Sequence, residues 1–118
     1  MATIIRVGGD DYLDGVPKSI TFSYSGTTQY RDEISAPLLV NAYDTANVSI
    51  STAGYGEVWL LGLAKNGTGW TTIKSYDRNH PGSFSGKIDC SNYVALAIKA
   101  GGYEKGYEAS GSGTISVS

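Results

Sequence analysis

The stretch from Glu57 to Ala100 is a series of short apolar segments separated by turn residues, and it leaves few folds open to the chain. Val58 to Leu63 is almost wholly apolar, too short for a helix and interrupted by Gly62. It reads as a strand covered on both faces, with Trp59 in the core. Asn66 and Gly67 follow, a dipeptide that favours the positive φ angles of a tight hairpin turn, and the segment from Trp70 to Tyr76 returns as its partner. A polar loop, Asp77 to Gly82, separates this hairpin from Phe84 to Ile88 and from Tyr93 to Ala100. Strands this frequent, with no helical period between them, predict an all-β domain.

The rest of the chain has the same character. Thr3 to Val7 reads as a first strand closed by Gly8 and Gly9, and Asp10 to Gly15 as an acidic loop. Ser19 to Ser25 alternates polar and apolar without a break, so Ile20, Phe22 and Tyr24 face a core while the serines and Thr21 face water. The segment Tyr30 to Ile34 is compatible with one helical turn, which Pro37 would end. Leu38 to Tyr43 and Asn47 to Ser51 read as further strands, and Ala53 to Gly56 as a turn. Gly101 to Gly113 reads as a long flexible loop with a small local repeat, and Thr114 to Ser118 as the closing strand. The count is eight or nine strands in one domain, residues 1–118. Their natural arrangement is a two-sheet antiparallel β-sandwich of jelly-roll type, with a closed barrel second.

Composition narrows the function. A chain of 118 residues, 41% hydrophobic and 17% charged, can build a core without a metal or disulfide. The single cysteine, Cys90, forms no internal disulfide and reads as a small buried side chain. A net charge of −2 offers no basic field for phosphate backbones, so nucleic acid is not expected as a partner. No apolar run reaches the ~20 residues a membrane helix needs. Met1 to Val7 lacks the basic leader and long apolar segment of a secretory signal, so synthesis in the cytoplasm is expected.

Catalytic inventories are thin. A Ser-His-Asp or Cys-His arrangement would have to use His80, the only histidine, which precedes Pro81 in a polar turn. One histidine and one cysteine cannot assemble a zinc site. The acidic loop Asp10, Asp11, Asp14 lacks EF-hand spacing, since Tyr12 and Thr21 stand where ligands are needed. It reads as a solvated turn, with a looser calcium site as the alternative. The reading is of a protein that is not an enzyme and needs no cofactor, with a small hydrolase as a remote alternative.

A surface constellation remains. Sugar recognition combines flat aromatic faces with planar polar groups that hydrogen-bond adjacent hydroxyls. Asp77, Arg78, Asn79 and His80 bring such polar groups together within four residues. Tyr76 flanks them, and Tyr103 and Tyr107 lie on the glycine-rich loop. If both loops share one end of the sandwich they form a shallow site. Trp70, at a strand start after Gly69, suits either the core or a platform. The candidate ligand-binding residues are therefore Trp70, Tyr76, Arg78, Asn79, Tyr103 and Tyr107. Packing at the rim is the competing role for each.

The segment Gly82 to Lys99, with Gly86 to Tyr93 leading into an apolar strand, resembles the back half of galactose-binding-like jelly rolls, and Gly113 to Val117 resembles their closing strand. Cys90 stands where leucine is common in that pattern. Domains of this kind occur as carbohydrate-binding modules and in virion proteins of phages infecting Gram-positive bacteria. The resemblance implies a non-catalytic module that binds a surface glycan in a virion or extracellular setting. The alternative is a structural virion or assembly subunit, forming homo-oligomers or packing on other virion proteins.

Overall fold

The computed structural model describes residues 4–7, 10–13, 18–26, 31–65, 69–102 and 106–118. Among them are β1 (Ile4–Val7), β2 (Asp10–Leu13), β3 (Ser19–Gly26), β4 (Arg31–Ile34), β5 (Leu38–Leu39), β6 (Thr45–Gly54), β7 (Gly56–Ala64), β8 (Trp70–Tyr76), β9 (Ser83–Asp89), β10 (Tyr93–Gly102) and β11 (Ala109–Ser116). No described residue is helical.

Nine of these strands form two antiparallel sheets. One has the order β3-β11-β6-β9, and the other β4-β10-β7-β8 with β5 also paired to β10. The pairs are nested: β3 with β11 encloses β4 with β10, which encloses β6 with β9, which encloses the β7–β8 hairpin. A long ribbon folded over in this way is a jelly roll, the sandwich that the strand pattern predicts. Asn66 and Gly67 of the expected hairpin turn lie outside the described residues.

The core fills the space between the sheets. Val48, Ile50 and Ile115 of one sheet meet Val58, Leu60, Leu96 and Ile98 of the other, all nearly inaccessible to solvent. Cys90 joins them as a free, buried thiol. Burial pushes its pKa up, as do the neighbouring charges of Asp89 and Asp44.

Several local readings are corrected. Residues 31–34 are strand, not a helical turn, because β4 pairs with β10 from Lys99↔Ile34 to Gly102↔Arg31. The strand expected from Leu38 shrinks to two residues, after which Val40 bonds Val94 and Tyr43 turns back on Val40. Between β4 and β5 the chain detours at Ala36 and Pro37, and Ser35 holds the break together. Its hydroxyl accepts from the Ile98 N–H at 3.0 Å and donates to the Ala36 carbonyl at 2.9 Å. The acidic segment at Asp10 and Asp11 is strand β2, paired with β1, while Asp14 lies outside the described residues.

The thirteen-residue flexible loop is also shorter than its composition suggests. β10 continues to Gly102 and β11 starts at Ala109. Gly102, Gly111 and Gly113 serve close packing rather than mobility. A Cβ on Gly113 would sit 2.7 Å from Ile50 Cγ2 and 2.9 Å from Ile98 Cδ1, and one on Gly111 would sit 2.8 Å from the Glu57 carbonyl. Side chains there would force the sheets apart.

Trp59 is not in the core. Val58 and Leu60 point inward, so Trp59 lies on the outer face of β7 under the Lys99 ammonium, 4.8 Å from the ring centroid. The apolar run of β7 reflects a second, smaller outer cluster. Leu39 and Ala95 are buried there, with Leu63, Val94 and Trp70 packed against them.

Candidate functional site

The nesting of the strands sends the β6–β7 turn, the β8–β9 loop and the β10–β11 loop to the same end of the sandwich. That meets the condition the sequence left open. The link between them is Tyr55, which the sequence reading assigned only to a turn. Its N–H donates to the Glu108 carbonyl at 3.0 Å. Its ring stacks against Tyr107, with centroids 4.4 Å apart and planes inclined by 34°. The Arg78 guanidinium carbon lies 4.0 Å from the centroid of the same ring, in cation–π range.

Local sequence explains how Tyr55 reaches this position. Gly54 has a φ of +61°, and a Cβ there would collide with the Glu108 carbonyl. A Cβ on Gly56 would collide with the backbone of Ser110. Only glycine on both sides lets the turn press against the β10–β11 connection and present its one ring. The signal was in the sequence, as an aromatic residue flanked by two glycines, but its partners lie on other strands.

The β8–β9 loop is braced by its own first residue. Asp77 Oδ1 accepts from the His80 N–H at 2.7 Å and lies 3.2 Å from His80 Nδ1, while the Asp77 N–H donates to the His80 carbonyl at 3.0 Å. Burial raises the carboxyl pKa, but the hydrogen bonds and charge of His80, with the Asn79 N–H, outweigh it and hold it below the usual value. Arg78 and Asn79 are exposed at the tip of this braced turn.

Of the expected residues, Arg78, Asn79 and Tyr107 therefore belong to one surface. Tyr107 is 48% exposed despite its stacking, so much of its ring is open to a ligand. Tyr76 is a packing residue at the base of the loop: it lies against the core, and a Cβ on Gly82 would come within 2.9 Å of its ring. Trp70 does not join the cluster. It starts β8 at the far end, about 20 Å along the strand from Tyr76, and packs on the outer cluster. Tyr103 lies outside the described residues.

Next to Tyr107 an open pocket of about 440 Å³ is lined by Ser25, Gly26, Ala53, Gly54, Glu108, Ala109 and Ser110. It offers two hydroxyls and one carboxylate. No group of three histidine, cysteine, aspartate or glutamate side chains able to hold a metal occurs among the described residues.

No protein-family model matches the chain, and no curated protein matches it in sequence. Among solved structures it is similar to the crystal structure of the SPBc2 prophage-derived protein YomS, with a TM-score of 0.45 and 13% identity, covering 86% of this chain and 96% of that one.

Proposed function

We propose that the protein is a non-catalytic carbohydrate-binding module that recognises a surface glycan through the loop end of its sandwich. The observation that carries this reading is the convergence of Arg78 and Tyr107 on Tyr55 beside the pocket at Ser25, Glu108 and Ser110. The exposed Tyr107 ring is a stacking surface for the apolar side of a sugar. Arg78, Asn79 and Glu108 are fork-like polar groups for its hydroxyls. The site is open and shallow, which suits weak single contacts strengthened by multivalent display. A phage virion as the setting belongs to the same proposal and rests on the jelly-roll resemblance of residues 82–99 and 113–117.

Titration with cell-wall polysaccharide fragments, followed by amide NMR, tests the proposal. Saturable shifts at Tyr55, Arg78, Asn79, Tyr107 and Glu108 are expected. The absence of shifts across a panel of fragments overturns it.

A further inference from the structure

Four strands form the principal lateral edges of the sandwich: β4 and β8 in one sheet, β3 and β9 in the other. An edge strand presents unpaired backbone groups to any other strand, and proteins guard such edges with charges, bulges or proline. Three edges here are guarded. β4 contains Arg31, Asp32 and Glu33, and β9 contains Lys87 and Asp89. β8 is bulged, its register shifting between Leu60↔Lys74 and Leu61↔Thr72, and Lys74 sits over the Phe84 ring at 4.5 Å.

β3 has none of these devices. Its eight residues carry no charge and no proline, and they pair with β11 in unbroken register from Ser19↔Ser116 to Gly26↔Ala109. The Val117 N–H donates to the Lys18 carbonyl at 2.9 Å, so Lys18 is turned towards β11. By the alternation of an antiparallel ladder, Ile20, Phe22 and Tyr24 also bond towards β11. The N–H and C=O groups of Ser19, Thr21, Ser23 and Ser25 point away from it, and no described strand pairs with them. Ile20 and Phe22 pack on the core yet stay half-buried, since no described strand lies beyond β3.

We infer that β3 is a strand-pairing edge and that its partner is β3 of a second copy of this chain. The strand is complementary to itself. An antiparallel two-fold pairing centred on Phe22 engages Ser19 to Ser25 in full. It sets Ser19 opposite Ser25 of the second copy and Thr21 opposite its Ser23. On the inner face Ile20 lies opposite the second copy's Tyr24. Hydroxyls meet hydroxyls, apolar side chains meet apolar side chains, and no like charges are opposed. The two four-stranded sheets become one continuous sheet, and a dimer with two loop ends is formed. The inference does not depend on glycan binding.

Sedimentation velocity across a concentration series, with amide hydrogen exchange on the full chain, tests this. A dimer fraction that rises with concentration is expected, with slowed exchange at the Thr21 and Ser23 amides. Ser23→Pro removes one outward N–H without touching the β11 ladder, and Ser23→Lys places like charges astride the two-fold axis. Each is expected to weaken dimerisation by about tenfold or more. Should Ser23→Pro fail to fold, Ser23→Lys decides. A wild-type chain that stays monomeric, or a dimer that survives Ser23→Lys unchanged, overturns the inference.

Discussion

Tyr107 and Tyr55 stack with ring centroids 4.4 Å apart, joining two connections that belong to different strand pairs. Within the stack Tyr55 supports and Tyr107 presents. Tyr107→Ala is therefore expected to weaken glycan binding by about tenfold, through loss of a stacking surface, with thermal stability almost unchanged. Tyr55→Ala removes the support of both Tyr107 and Arg78. It should weaken binding at least as much and also lower stability by about 1 kcal/mol. Calorimetric titration paired with thermal melts separates the two roles. Equal losses of stability for both variants would refute the division.

The brace at Asp77 gives the site a pH dependence. The folded carboxyl pKa lies below its ordinary value of 3.8, so the brace is complete above that value and is lost as pH falls through the folded one. Asp89 follows the same sign, its carboxylate accepting from the Ser91 N–H at 2.9 Å. The side-chain carboxyl carbon shift of Asp77, followed by NMR against pH, should titrate with a midpoint below 3.8. Asp77→Asn should weaken glycan binding at neutral pH by loosening Arg78 and Asn79. An Asp77 carboxyl midpoint above 3.8 would contradict the assignment.

Ser35 completes a sheet where the strand cannot. Removing its hydroxyl leaves the buried Ile98 N–H without its acceptor, so Ser35→Ala is expected to cost about 1–3 kcal/mol in urea unfolding. An effect near zero would mean that the β4–β5 break relaxes to restore the bond.

Gly113→Ala tests the pinch between the sheets. Its Cβ would meet Ile50, the Ser49 carbonyl and Ile98, all closer than 3.0 Å. Overpacking of this kind typically costs about 1–3 kcal/mol. The substitution is expected to lower the unfolding midpoint, whereas a gain in stability would show that the sheets accommodate the added methyl without strain.

Trp70→Ala separates packing from binding. The indole rests on the outer cluster with Leu39 and Ala95, so its loss should cost about 1–3 kcal/mol while the loop-end site keeps its affinity. A selective loss of glycan binding would instead return Trp70 to the site.

The sequence by itself determined that this is an all-β domain, and in β3 which residues face the core, while the strand pairing decided for two sheets over a closed barrel. A period of two specifies the two faces of a strand wherever polar and apolar residues alternate, as Ser19 to Ser25 do. It also marked the polar loop that holds Arg78 and Asn79. Where alternation fails it could not choose: Val58 to Leu63 is apolar throughout, and only the register with β8 and β10 turned Trp59 outward. Composition misread Gly111 and Gly113 as flexible, because the atoms that exclude a side chain there come from β6, β7 and β10. Tyr55, marked in the sequence only as an aromatic residue between two glycines, was not assigned to the site for the same reason. Its partners on the β8–β9 and β10–β11 connections become neighbours only when the ribbon folds over, and proximity across strands is decided by strand order rather than by any local pattern.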